Sequence, residues 1–229
     1  MTPKTLARTA GALSLLVLFG GIVGQALIAD GMVVRGDAAQ TATHIAAQPK
    51  LWALGLTFFM FEMAAQVAEV TLFYLLLRPV NRTAALLALT FGLVGATIKT
   101  AARGFYYAPL FVVGGADYLK VFSEGQLPAL AYLFIRINNN IAGIALVFLG
   151  LSTFFKGYLI ANSTFLPRFL GWIAMVSGLG WATYAYPALG SAIFYPLVLV
   201  AILGLLLTSG WLLMKGVDEE RWREQNAKA

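Results

Sequence analysis

Residues 51–77 read LWALGLTFFMFEMAAQVAEVTLFYLLL, a mostly apolar run that carries Glu62, Gln66 and Glu69 near its middle. A helix needs about 20 apolar residues to cross the hydrocarbon core of a bilayer. This stretch is long enough and therefore predicts a transmembrane helix. Two carboxylates are energetically costly inside a membrane span, so we expect each to have a charged or hydrogen-bonding partner or a function.

The rest of the chain follows the same pattern. The 229 residues are 60% hydrophobic and 11% charged, whereas a soluble domain carries about 25% charged residues. We predict an all-α, polytopic membrane protein, a six-transmembrane-helix bundle that forms a single domain over residues 1–229. The predicted spans are 10–29, 51–77, 84–112, 127–155, 169–189 and 192–214, the first of them a retained helix and not a signal peptide.

Basic residues lie at alternate ends of these spans. The loops 30–50, 113–126 and 187–193 are poorer in them, and the positive-inside rule then places both termini in the cytoplasm. The segment 215–229, which includes DEERWREQNAKA, is predicted to be a short charged cytoplasmic tail with a solvated, frayed helix end. The residues that carry the bias are Lys4, Arg8, Arg78, Arg82, Lys156, Arg168, Lys215, Arg221 and Arg223.

Several kinds of chemistry are disfavoured by composition. The chain has no cysteine and one histidine, His44, which argues against thiolate sites, haem and multi-histidine metal centres. The net charge of +6 is explained by the span ends, so no nucleic acid is expected. No phosphate-binding loop or Ser/His/Asp arrangement is visible, and we assign no catalytic residue, metal or cofactor. An intramembrane enzyme is the weakest hypothesis.

Polar residues inside the spans share helical faces. Residues three or four apart lie on the same side of a helix, so three spans each present one polar stripe. The stripes are Glu62, Gln66 and Glu69; Lys99 and Arg103; and Arg136, Asn139 and Asn140.

The depths of three of these residues agree. At about 1.5 Å per residue, Glu62 and Lys99 lie about 16 Å below the outer face and Arg136 about 13 Å below it. We therefore predict a buried cluster of Glu62, Lys99, Arg136 and either Asn139 or Asn140.

The other two ionisable residues of the stripes lie at different depths. Arg103 is nearer the outer surface and is expected to snorkel. Glu69 is deeper, with no cation at its level.

Two interpretations of the polar cluster remain open. In one, opposite charges neutralise each other and hold three helices in register. In the other, the cluster lines a cavity for a ligand, an ion or a proton path. Three cations against two carboxylates leave a surplus positive charge, which would suit an anionic guest, water or a lipid headgroup.

One segment carries a resemblance. KGYLIANSTFLPRFLG, residues 156–171, resembles the signature of a widespread bacterial six-helix membrane family catalogued as a domain of unknown function. LLLRPVNRTAALLALTFGLV (75–94) and DAAQTATHIAAQ (37–48) are similar to other parts of that family. The resemblance implies six helices and little chemistry. Family members often have FRLVE where this chain has FGLVG (91–95), and often a histidine where it has IRINNN (135–140).

Two functions follow from these observations. The first is a non-catalytic membrane subunit or scaffold of the bacterial inner membrane, packed against itself or another membrane protein. The alternative is a small transporter, a channel, or a protein that binds lipid or an anionic ligand through the buried Glu/Lys/Arg/Asn cluster. The expected partners are the lipid bilayer and a second copy of the chain or another membrane protein complex.

Overall fold

The computed structural model describes residues 1–123 and 125–228; Glu124, in the second predicted outer loop, and Ala229, the end of the predicted tail, lie outside the described residues. The chain is 87% helical, and no described residue belongs to a strand, so the predicted all-α class is confirmed. The α-helices are α1 Pro3–Gly21, α2 Asp30–Met32, α3 Ala38–Ala47, α4 Pro49–Leu77, α5 Arg82–Val113, α6 Gln126–Asn162, α7 Arg168–Ala182, α8 Pro187–Ala192, α9 Phe194–Met214 and α10 Glu219–Ala227.

Five helices among the described residues are long and apolar enough to cross a membrane. The first combines α1, a π-helical stretch over Ile22–Ala29 and α2, and it runs from Pro3 to Met32. The others are α4, α5, α6 and α9. These helices are the ones expected of a membrane protein, and they correspond to five of the six predicted spans.

The predicted span 169–189 is not a continuous helix. Helix α7 has 15 residues, about 22 Å of helix, which is shorter than a hydrocarbon core of about 30 Å. After it come a 3₁₀ turn at Thr183–Ala185 and α8, which begins at Pro187. Proline favours the first position of a helix and drives the preceding residue to extended backbone, and Tyr186 has φ −117° and ψ 95°. This proline explains why the helix is interrupted within the predicted span.

Helix α6 is longer than predicted. It ends at Asn162 and not at residue 155, so Lys156 lies inside the helix. At its C-terminal end, side chains donate hydrogen bonds to carbonyls of the last turn. Asn162 Nδ2 donates to the Tyr158 carbonyl at 2.8 Å, and Ser163 Oγ donates to the Ile160 carbonyl at 2.8 Å. Pro167 then precedes α7.

The chain folds into two compact units. Unit 1 comprises residues 1–18, 64–97 and 143–229, and unit 2 comprises residues 19–63 and 98–142. The core of unit 1 is aliphatic, and its most deeply buried side chains are Leu76, Leu77, Leu159, Leu170 and Leu212.

Unit 2 is centred on an aromatic pair. The rings of Trp52 and Tyr106 stack with centroids 4.3 Å apart. Trp52 Nε1 donates to the Tyr106 carbonyl at 2.9 Å, and the Tyr106 hydroxyl donates to the Trp52 carbonyl at 3.0 Å. Both polar atoms of the pair are thus satisfied although the residues are buried, which is what an apolar interior requires.

Helices α6 and α7 pack closely in unit 1 because glycines face each other. A Cβ added at Gly150 would lie 2.6 Å from the Gly178 carbonyl oxygen, and one at Gly157 would lie 2.6 Å from the Gly171 carbonyl oxygen. The glycines are seven residues apart on each helix, so two levels of the same contact are made. Only glycine allows backbones to approach this closely.

The predicted tail contains a helix, α10, that contacts the rest of unit 1 although none of its residues is buried. The Asp218 carboxylate accepts from the Arg221 N–H at 3.1 Å and caps α10. Trp222 Nε1 donates to the Leu76 carbonyl at 2.8 Å, and Gln225 Oε1 accepts from the N–H and the hydroxyl of Thr164 at 3.0 and 2.9 Å. A tryptophan and a glutamine thus anchor a segment whose other side chains are largely exposed, and fraying of its end stays a prediction.

Candidate functional site

Glu62 on α4 and Lys99 on α5 form an ion pair in unit 2. Nζ of Lys99 lies 2.5 Å from Oε1 of Glu62, and their side chains are 16% and 4% exposed. Gly20 lets the first helix approach α4 closely at Glu62, since a Cβ there would lie 2.9 Å from the Cβ of Glu62. The second oxygen of Glu62, Oε2, is buried without a hydrogen-bond partner. Two of the residues predicted to cluster thus lie together.

Arg103 is buried in unit 2 and does not snorkel as predicted. Its guanidinium carbon lies 3.6 Å from the centroid of the Phe59 ring, and Nη1 donates to Oδ1 of Asn138 at 3.2 Å. Asn138 in turn donates to Oδ1 of Asn139 at 2.9 Å. Cation–π contact and a charge-assisted hydrogen bond hold the guanidinium inside the unit, although its Nε has no partner.

The prediction that Arg136 joins the buried cluster is wrong. Arg136, Asn139 and Asn140 are exposed. The inward face of α6 in this region is formed by Ala131, Ile135 and Asn138, which are buried and spaced by four and three residues. Arg136 follows Ile135 by one residue, which rotates it by about 100° away from that face.

Glu69 on α4 has partners in unit 1 that were not predicted. Its Oε1 accepts from Nζ of Lys156 at 2.9 Å and from the hydroxyl of Ser14 at 3.2 Å. The Ser14 hydroxyl is also 3.0 Å from the Ala10 carbonyl. Oε2 of Glu69 is buried and has no hydrogen-bond partner. Gln66, which shares the predicted stripe, is half-buried in unit 1.

A cavity of about 150 Å³ adjoins this second ion pair. Glu69 and Lys156 both line it, together with apolar side chains that include Phe73 and Trp181. Five hydroxyl residues complete its polar wall: Ser14, Thr153, Ser177, Thr208 and Ser209. The lining thus combines an ion pair and hydroxyl groups with a larger apolar surface, which suits a small guest that has both polar and apolar parts.

The sequence missed this site because Lys156 was assigned to a loop. Lysine residues at span ends are normally explained by the positive-inside rule, and the same pattern does not reveal that α6 continues past it. Serine residues in a hydrophobic segment are common, so Ser14 could not be singled out either. Among the residues that the structure describes, no group of three His, Asp or Glu side chains could hold a metal ion.

Apolar helices of membrane-spanning length and buried ion pairs define an all-α membrane protein. The family model for a domain of unknown function, DUF4386, matches residues 9–216. The chain belongs to this family, which agrees with the resemblance noted from the sequence. No curated protein and no solved structure matches the chain.

Proposed function

We propose that the protein binds a small polar molecule within the membrane, in the cavity of unit 1. The observation that carries this proposal is the buried ion pair of Glu69 and Lys156, which lines a cavity together with five hydroxyl residues. An ionisable residue inside a membrane span is by default a candidate for a ligand or ion site.

A purely structural role explains the Glu69–Lys156 pair less well. Taking two charges out of water costs about as much as their attraction returns, so a buried pair is a weak stabilising device. An unpartnered carboxylate oxygen adds a further cost of about 1–3 kcal/mol or more, since the group is charged.

The scaffold hypothesis has no specific support among the contacts of the chain. Small-residue spacings such as Gly20 and Gly24 favour helix association. Here they serve packing within unit 2: a Cβ at Gly24 would lie 2.9 Å from the Phe59 ring, and Gly20 contacts Glu62. Association with a second copy or another membrane protein stays a prediction.

We infer six crossings of a bacterial inner membrane with both termini in the cytoplasm. The basic residues at alternate helix ends support this orientation. The missing crossing would be the segment from Arg168 to Ala192, in which α7, the 3₁₀ turn and α8 follow one another. Together they provide 25 residues of chain, although α7 alone is short for a span.

The absence of cysteine allows a direct test of this topology. Single cysteines at Thr2, Asn81 and Lys228 should react with a membrane-impermeant maleimide only after the cells are permeabilised. Cysteines at Asp37 and Tyr186 should react in intact cells. Labelling of position 186 only after permeabilisation would show that the 168–192 segment does not cross.

The ligand-binding proposal is tested with the full chain purified in nanodiscs. Thermal unfolding is measured with a panel of small solutes, namely amino acids, amines, carboxylates and amides, because a ligand that binds only the folded state raises Tm. The cavity-filling variant Ala201→Leu is the control, since Ala201 lines the cavity. The proposal fails if no class raises Tm, or if the native protein and the filled variant respond equally.

A further inference from the structure

The charges around the cavity restrict what its guest can be. Glu69 and Lys156 are the charged residues among those that line the cavity, and they form a pair of zero net charge. A guest with a net charge would lack a counter-charge in this low-dielectric place. The guest should therefore be electrically neutral overall.

The hydrogen-bonding groups call for a donor on one side of the guest. The carboxylate of Glu69 can only accept hydrogen bonds, and Glu69 lines the cavity. The hydroxyl of Ser177 donates to the Ile173 carbonyl at 2.9 Å, so its oxygen is left as an acceptor. An ammonium group, with three N–H donors, matches this set of acceptors.

The opposite requirement comes from Lys156. Its ammonium has three N–H donors, and one of them goes to Oε1 of Glu69. The remaining donors suit a carboxylate, which forms short charge-assisted hydrogen bonds with an ammonium. A molecule with one positive and one negative end supplies both the donor for Glu69 and the acceptor for Lys156.

The volume sets the size of such a molecule. A cavity of about 150 Å³ holds benzene, which has about six non-hydrogen atoms, and this cavity is about 150 Å³. Alanine has the same number of non-hydrogen atoms. The apolar part of the lining, Phe73 and Trp181 among others, can contact a short side chain.

We propose that the cavity binds a small zwitterion of the amino-acid class, with its ammonium at Glu69 and its carboxylate at Lys156. This inference rests on the proposed function and names its ligand class. The two residues have opposite roles in this arrangement, so a charge-removing substitution at either position should weaken binding of the same ligand.

The experiment compares four probes no larger than alanine on the full chain in nanodiscs by titration calorimetry. Alanine is the zwitterion, propionate the anion, ethylamine the cation and lactamide the uncharged molecule. We expect alanine to bind about tenfold or more tightly than the other three. Leucine and tryptophan, which exceed the cavity, should bind more weakly than alanine.

Variants test the assignment of the two ends. Glu69→Gln and Lys156→Met should each weaken alanine binding about tenfold or more. If either fails to fold, the double variant of both changes leaves no unpaired charge and should still fold and lose alanine binding. The matched control is Glu62→Gln with Lys99→Met, the same change at a buried pair that does not line the cavity, and it should keep alanine affinity.

The outcomes separate this inference from the proposed function. If lactamide, propionate or ethylamine binds as tightly as alanine and Ala201→Leu abolishes that binding, the cavity takes a guest and the zwitterion inference is overturned. The inference is also overturned if alanine binds the filled variant or the double Glu69/Lys156 variant as tightly as the native chain. If none of the probes binds and the wider panel gives no thermal shift, both proposals fail.

Discussion

The ammonium nitrogen of Lys156 lies 2.9 Å from Oε1 of Glu69 and 5.0 Å from the centroid of the Phe73 ring. A carboxylate and an aromatic face thus hold the same cation, and all three residues line the cavity of unit 1. The Lys156 side chain is 14% exposed and that of Glu69 6%. Solvent therefore screens this pair little, and each charge depends on the other.

This dependence should appear as strong coupling between the two positions. Glu69→Gln alone and Lys156→Met alone each leave one buried charge without its partner, which destabilises by about 3–5 kcal/mol. The double variant should lose less than the sum of the two single changes, because no unpaired charge remains. Denaturant or thermal unfolding of the purified protein measures the four members of the cycle.

The exposed pair of Asp117 and Lys120 serves as the control for this cycle. Its atoms are 2.6 Å apart, but its side chains are 91% and 78% exposed. Exposed pairs contribute little, so Asp117→Asn with Lys120→Met should leave unfolding unchanged. Additive effects at Glu69 and Lys156 would contradict the coupling inferred from their contact.

The Glu69–Lys156 pair also shows where sequence reasoning stops. Apolar runs and their lengths predict most of the long helices, since membrane spans are governed by hydrophobicity and length. They do not predict that α6 continues to Asn162, because no strong breaker stands at residue 155 and helix ends depend on local hydrogen bonds. Because the predicted helix ended at residue 155, Lys156 was not recognised as the partner of Glu69.

The predicted cluster in unit 2 was half correct for a related reason. Helical phase brought Glu62 to Lys99, but the polar stripe of α6 was assigned to Arg136 when Asn138 is the buried residue. A stripe predicted from polar residues has an uncertainty of one position, which amounts to about 100° on a helix. Only packing against neighbouring helices decides which side faces inward.

Substitution of the two arginines should therefore have unequal effects. Arg103→Met removes the contact with the Phe59 ring and leaves Asn138 without its donor, so it should destabilise by about 2 kcal/mol. Arg136→Met changes an exposed side chain and should alter stability by less than about 0.5 kcal/mol. Thermal unfolding of both variants checks this difference. A larger effect at Arg136 would support the predicted cluster that includes Arg136.

Glycine substitutions should report the close packing of α6 and α7. A Cβ at Gly178 would collide with the backbone of Phe154 and with the Gly150 carbonyl. Backbone cannot move aside as a flexible side chain can, so Gly178→Ala should destabilise by about 1–3 kcal/mol or more. The loss should appear in the Tm of the purified protein.

Gly104 is the matched control, since it is also helical and a Cβ there would meet no atom within 4 Å. Alanine is the better helix former by up to about 1 kcal/mol. Gly104→Ala should thus be neutral or stabilising. If Gly178→Ala were equally neutral, the two helices would not approach as closely as the structure has them.

The docked tail gives a last prediction, because α10 is held by few but specific contacts. Trp222 donates to the Leu76 carbonyl, which belongs to the last turn of α4, where carbonyls lack partners within the helix. Trp222→Phe keeps an aromatic ring and removes that donor, so α10 should detach more often. Limited proteolysis should then cleave the segment around Arg221 and Arg223 faster than in the native chain.

Arg223→Gln distinguishes docking from a general effect of sequence change. Its contact with Glu219, at 3.4 Å, is exposed and lies within α10 itself. Such a pair contributes little, so cleavage at Arg221 should keep the native rate in this variant. Equal, rapid cleavage of the native protein and both variants would mean that the tail is solvated, as its charge alone had indicated. If cleavage is slow in the native protein and in Arg223→Gln but fast in Trp222→Phe, the indole N–H of Trp222 is the group that holds α10 in place.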